Sequence, residues 1–252
     1  MNKITLLSLV ALLASCSTIK SYHQEDLENP WSSIGKGSSS VGMSTGWAFY
    51  GAEAEAEGQD ILLNNNGTDS TTLTPRYGGA LKYSRFVTDN VSLGFIYEHR
   101  NFEADPVSPL EATLIAEPFS TDHFILSSRY WGSPTGHQRR WIPFSGLDLG
   151  YIPEVDFGEV QVDYPATQNA AGVPDETINI VGSDYWTLAI VAGASYMVRP
   201  GLSLDLGAFY EWAITPGSDT LELQSPPGGG ADVDVEVWPS GLILFGGLSW
   251  YF

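Results

Sequence analysis

The residues with a spacing suited to chemistry are carboxylates. In Glu53-Ala54-Glu55-Ala56-Glu57, and again in Asp232-Val233-Asp234-Val235-Glu236, acids alternate with small or β-branched residues. On an extended chain each trio falls on one face. Ca²⁺ takes about six to eight oxygen ligands at flexible sites, so Glu53, Glu55, Glu57, Asp232, Asp234 and Glu236 are candidate ligands of a divalent-cation site if the two segments lie side by side. The same alternation also describes plain solvated strand ends. A second set, Arg76, Lys82, Arg100 and Arg129 with Glu98, Asp148, Asp205 and Glu211, sits inside otherwise apolar stretches. Four positive and four negative charges in such surroundings must pair, because an unpaired buried charge is costly. Catalysis has little to work with. The histidines are His23, His99, His123 and His137. His99 follows Glu98, but neighbours on a strand point to opposite faces, which defeats a simple base and its orienting carboxylate. The chain therefore reads as a protein without enzymatic activity and without a cofactor beyond that possible Ca²⁺.

These residues need strands to hold them. Charged residues are 16% and aromatics 12% of the 252 residues, little charge and much aromatic surface for a globular protein. After the first fifteen residues no apolar run reaches the length of a helical membrane span. Period-two alternation predicts eight strands instead: Val41–Ala52, Leu73–Phe86, Val91–Asn101, Asp122–Trp131, Trp141–Ile152, Asp184–Val198, Leu202–Ile214 and Val233–Phe252. The last is the plainest, with Leu242, Leu244, Leu248, Trp250 and Phe252 on one face. Connections alternate short (87–90, 132–140, 199–201) and long (53–72, 102–121, 153–183, 215–232). That layout predicts an all-β fold, an eight-stranded antiparallel up-and-down transmembrane β-barrel with both ends on the periplasmic side.

Parity sorts each strand. Met43, Trp47, Phe49, Leu93, Phe95, Leu126, Leu147, Ile190, Leu206 and Tyr210 fall on the lipid side, while Gly, Ala, Ser and the eight charges named above fall inside. A charge-paired lumen reads either as a polar plug or as a gated pore. The long connections with their strand ends carry 5, 5, 7 and 5 acids, 22 of the chain's 30, and no Lys or Arg. Such a field repels nucleic acid and draws cations. Ahead of the barrel, Lys3 and the apolar stretch Ile4–Ala14 read as an export signal. Residues 16–40 read as a polar, flexible tether.

Specific resemblances then enter. Leu13-Ala14-Ser15-Cys16 resembles the lipobox of bacterial lipoproteins, which implies lipidation at Cys16, the only cysteine. Pro143-Phe144-Ser145-Gly146-Leu147-Asp148-Leu149-Gly150-Tyr151 resembles a strand of the OmpA-, OmpX- and OmpW-like small outer-membrane barrels. Phe86–Gly94 and Val198–Leu204 resemble their strand–turn–strand repeats, although Asp148 stands where that family often has Gly or Ala. Trp250 and Phe252 resemble the last-strand signal read by the barrel-assembly machinery. The resemblance implies a signal peptide at 1–15, a lipid-anchored tether at 16–40 and a barrel at 41–252 in the bacterial outer membrane. The expected role is structural or surface-interacting, with a narrow porin-like channel as the alternative.

Overall fold

The computed structural model describes residues 31, 34–58, 67–106, 113–135, 140–163, 176–223 and 231–252. Eight antiparallel strands close on themselves: β1 (Ser39–Gly58), β2 (Gly67–Phe86), β3 (Val91–Ala104), β5 (Phe119–Trp131), β6 (Trp141–Ile152), β9 (Tyr185–Arg199), β10 (Leu202–Ala213) and β12 (Ala231–Tyr251), with β12 paired back to β1. Closure leaves no free edge, which is what a strand-built membrane protein requires. At the seam, the Ser39 N–H donates to the Phe252 carbonyl at 2.8 Å and the Phe252 N–H to that of Ser39 at 2.9 Å. The short turns carry their own chemistry. Thr88 Oγ1 accepts from the N–H groups of Asn90 and Val91, while Gly201 supplies the left-handed φ of 79° between β9 and β10.

The outer face is apolar by alternation. Trp47 is 77% exposed and Leu126 60%, and Phe49, Leu147, Leu206 and Leu248 face out with them. In water such a belt would aggregate; in a bilayer it is the contact surface.

Where a strand outruns its sequence-predicted bounds by three residues or more, as β1, β2, β3 and β5 do, it does so at the end bearing the long connections. β1, β2 and β12 run 20, 20 and 21 residues, about twice what a tilted strand needs to cross the hydrocarbon. The stretches expected to be long open connections also contain four further strands, β4 (Thr113–Ala116), β7 (Val155–Asp163), β8 (Glu176–Gly182) and β11 (Gly217–Leu223). β11 pairs with the outer part of β12, and β4, β7 and β8 form a separate three-stranded sheet over the mouth. The Val181 N–H donates to Asp219 Oδ2 at 3.0 Å, tying β8 to β11.

One ladder is interrupted. Between β1 and β2 the pairing runs to Ser44↔Ala80 and resumes at Tyr50↔Leu73. Pro75 on β2 has no N–H to give there, and Thr45 Oγ1 donates to the Gly78 carbonyl at 2.7 Å within the gap.

Two apolar clusters fill the ends of the barrel. The outer one joins Tyr50, Leu73, Phe102, Phe119, Ile152, Val155 and Tyr185. The other, at the end bearing the short turns, joins Phe86, Trp131, Phe144, Met197 and Tyr251, and Trp31 enters it. The expected free tether thus stops short of its last residues. Trp31 is 4% exposed, stacks edge-on with Tyr251 at 5.9 Å and donates from Nε1 to the Arg140 carbonyl at 3.2 Å. The Gly37 N–H meets the Phe86 carbonyl at 2.8 Å.

Candidate binding site in the barrel interior

Inward parity on β3, β5, β6 and β10 places a charged layer across the middle of the barrel. Glu211 is its centre. The Arg100 guanidinium donates from Nη1 to Glu211 Oε1 at 2.8 Å and from Nη2 to Oε2 at 3.2 Å. Its Nη2 also meets Glu98 Oε2 at 2.8 Å. The Tyr50 hydroxyl donates to Glu211 Oε1 at 2.5 Å. His123 Nδ1 lies 3.7 Å from Glu211 Oε2, and its Nε2 meets Thr187 Oγ1 at 3.0 Å. Glycine makes this possible: a Cβ on Gly150 would overlap His123 Nε2 and Thr187 Oγ1. The Arg100 Cζ also sits 5.8 Å from the ring centres of both Tyr50 and Phe209, a cation–π arrangement.

Below this layer lie two further ion pairs: Lys82–Asp205 crosses the interior from β2 to β10, and Arg129–Asp148 joins the neighbouring strands β5 and β6. Lys82 Nζ bonds Asp205 Oδ2, and the same carboxylate accepts from Ser195 (2.7 Å), Ser203 (2.8 Å) and Ser249 (2.5 Å). Arg129 grips Asp148 with two parallel bonds of 2.5 and 2.8 Å. Bidentate geometry of this kind is the strong form of the pair. A chamber of about 90 Å³ lies among these groups, bordered by Ser44, Gly79 and Ala80 at the β1–β2 gap.

Above the layer is a different space. A cavity of about 120 Å³ is walled by Tyr50, Leu73, Phe102, Phe119, Ile152 and Tyr185, with Val155 and Val160 of β7 as part of its cover. Arg100 and Thr121 are on its lining. They face each other directly in the β3–β5 register. Arg100 Nε and Thr121 Oγ1, together with His123 Nδ1, are buried atoms without a hydrogen-bond partner among the described residues.

The structure thus brings together Lys82 with Asp205, Arg100 with Glu98 and Glu211, and Arg129 with Asp148. The Arg76 side chain lies outside the described residues, so the described interior holds three cations and four carboxylates. Cys16 also lies outside them. Trp250 and Phe252 face outward, 52% and 39% exposed. In the acid rows the register sets Glu55 opposite Glu236 and Glu57 opposite Asp234, but Glu53 opposite Trp238 and Asp232 opposite Glu222 of β11. The six acids therefore do not form three facing pairs, because β12 runs two residues further out of step than a flush alignment needs. Thr220 Oγ1 donates to Asp234 at 2.7 Å. The side chains of Glu55, Glu57 and Asp232 lie outside the described residues, and among the described residues no group of three or more His, Cys, Asp or Glu side chains is arranged to hold a metal ion. His99 finds a carboxylate that sequence neighbours did not suggest: Asp122, its partner on β5, at 2.8 Å on the outer face.

Tyr50, Thr121 and Tyr185 were missed by sequence reasoning, although each has inward parity. The cover from β7 was missed too, despite the alternation of Val160-Gln161-Val162-Asp163.

A closed eight-stranded barrel with an apolar belt and a polar, charge-paired interior is the architecture of the small outer-membrane β-barrels. A solved structure agrees on the fold. Over 87% of this chain and 97% of that one, the crystal structure of the outer membrane protein OprG from Pseudomonas aeruginosa matches with a TM-score of 0.52 at 15% identity. The solid-state NMR structure of the outer membrane protein AlkL matches over 94% of this chain and 95% of that one, with a TM-score of 0.47 at 15% identity. The chain shares the barrel architecture of OprG. No family model and no curated protein sequence matches it.

Proposed function

We propose that this protein takes small apolar solutes into its outer cavity and releases them sideways into the membrane through the interrupted β1–β2 ladder. The observation that carries the reading is the apolar cavity itself, seated at the outer mouth above an interior barred by ion pairs. An apolar solute gains by leaving water for that cavity. Going on down the axis would set it against three ion pairs and the Asp205 hydroxyl cluster, with the aromatic base beyond. The gap offers a shorter way. Tyr50 and Leu73, which line the cavity, are the first pair above it, and Ser44 and Ala80, which border the lower chamber, are the last pair below it. The reading assigns binding and passage rather than catalysis. It also keeps the lipid anchor at Cys16, because Trp31 itself packs at the end with the short, periplasmic-type turns.

The cross-lumen ion pairs favour a second reading, a purely structural barrel locked by its polar interior. Calorimetric titration of toluene into nanodiscs carrying the protein, with empty nanodiscs subtracted, separates the two. Saturable binding that Ala52→Trp abolishes by filling the cavity is the expected result. Absence of binding leaves the structural barrel, and steady ion currents in planar bilayers would sink both.

A further inference from the structure

We propose that the outer cavity is built for a neutral molecule of about one-ring size that carries a single hydrogen-bond-accepting oxygen, held on the cavity floor by Arg100 and Thr121. The inference rests on the solute-binding reading above and names the chemical class of the solute.

Size sets the first limit. The cavity is about 120 Å³, somewhat below the about 150 Å³ of an engineered apolar cavity that takes benzene. A single ring or a short chain fits, and a long acyl chain does not.

The floor sets the second. Arg100 is 5% and Thr121 4% exposed. Arg100 spends its two terminal nitrogens on Glu98 and Glu211, which leaves its Nε–H without an acceptor among the described residues. Thr121, directly opposite on β5, leaves its hydroxyl without a partner among the described residues. Buried polar atoms are normally satisfied, and leaving them so is costly. The Nε–H only donates, while a threonine hydroxyl donates or accepts. One oxygen that accepts from Arg100 satisfies the first atom, and its contact with the Thr121 hydroxyl satisfies the second. The apolar remainder then lies against Leu73, Phe102, Phe119 and Ile152.

Charge sets the third. Among the described residues around the floor, one cation stands against two carboxylates, Glu98 and Glu211, and the sequence of the strand ends beyond is rich in acids. An anionic head is repelled twice. An ammonium head cannot accept from the Arg100 Nε–H. A neutral alcohol, ether or carbonyl oxygen meets all three limits.

The test uses four probes sharing one ring and one substituent carbon: benzyl alcohol, toluene, benzoate and benzylamine. Each is titrated into the full-length protein in nanodiscs against empty nanodiscs, with the Arg100 Nε–H signal followed by NMR. Benzyl alcohol is expected to bind about tenfold more tightly than toluene and to shift the Arg100 signal, which toluene leaves in place. Benzoate and benzylamine are expected to bind no more tightly than toluene. Thr121→Val should bring benzyl alcohol to within about threefold of toluene, both measured on that variant. Equal affinity for toluene and benzyl alcohol with an unmoved Arg100 signal overturns the oxygen requirement and leaves the apolar cavity standing. Tighter binding of benzoate or benzylamine overturns the neutral head. Binding of none of the four overturns the solute-binding reading as well.

Discussion

Arg100 and Glu211 meet at 2.8 Å from strands on opposite sides of the barrel. In the closed order β1-β2-β3-β5-β6-β9-β10-β12, four steps separate β3 from β10 in either direction. The pair is therefore a strut across the full diameter. Both side chains are nearly without solvent contact, at 6% and 2% exposure.

Removing one end of the strut should cost more than removing both. Arg100→Met leaves Glu211 and Glu98 buried against each other, a loss of about 3–5 kcal/mol for a broken buried pair. Arg100→Met with Glu211→Leu removes the facing charge as well and is expected to recover at least half of that. Urea unfolding of the refolded barrel in detergent, read by the heat-modifiable gel shift, measures both. Equal losses in the single and double variants would show that the guanidinium acts by packing rather than by charge.

Gly150 and His123 form a second coupled pair, this time through space rather than charge. A methyl group on Gly150 overlaps the imidazole and the Thr187 hydroxyl, so Gly150→Ala is expected to lower stability by about 1–3 kcal/mol, the usual scale of overpacking. Adding His123→Ser empties the contested volume. The double variant should then unfold at higher denaturant than Gly150→Ala alone. If it unfolds earlier, the two sites do not compete for the same space.

Much of this interior was legible in the chain because a strand's period is two. Parity alone sends Lys82, Glu98, Arg100, Arg129, Asp148, Asp205 and Glu211 inward and Trp47, Leu126 and Leu206 outward. Who meets whom was not legible. The Arg100–Glu211 strut depends on the stagger of eight ladders summed around the barrel, and no segment carries that sum. The acid rows show the same limit: their alternation was plain, but the register that sets Glu53 against Trp238 was not. The cover over the mouth was hidden differently. Val155–Asp163 alternates only in part, with Gly158 in its middle, and pairs with β4 and β8 rather than with a sequence neighbour in the barrel. Trp31 follows no period at all, and only the packed base shows what it fills.

The unpartnered Thr121 hydroxyl makes a stability prediction independent of any solute. In the empty protein, Thr121→Val exchanges a buried, unsatisfied oxygen for a methyl group of similar shape. Such an exchange is expected to be neutral or to stabilise by about 1 kcal/mol. Denaturant unfolding without added ligand checks this. A clear loss of stability would mean that the hydroxyl already has a partner, and the floor would then present only the Arg100 Nε–H.

Cys16 makes a prediction about processing. If it carries lipid, fatty-acid labelling in cells should be lost in Cys16→Ala, and the variant should migrate as an unprocessed or differently processed form. Labelling that persists in the variant would remove the anchor.

Trp31 closes the base of the barrel from outside its strands. Its ring lies among Tyr251, Phe86 and Trp131, and its Nε1 is bonded to the Arg140 carbonyl beside the β5–β6 connection. The residue is nearly fully buried, so Trp31→Ala opens a cavity at the periplasmic-type end. Substitutions of this size in a packed core cost about 3–5 kcal/mol. Here the lower end of that range is expected, because the backbone bonds at Gly37 and Ser39 remain to hold the segment. Trp31→Phe keeps the ring and loses the Nε1 bond, and it should cost only about 1 kcal/mol. Thermal unfolding of the three proteins in the same detergent orders them: wild type, then Trp31→Phe, then Trp31→Ala. A Trp31→Ala protein that melts with the wild type would mean that the ring rests on the base without holding it, and the barrel would then end at its own aromatic layer of Phe86, Trp131 and Tyr251.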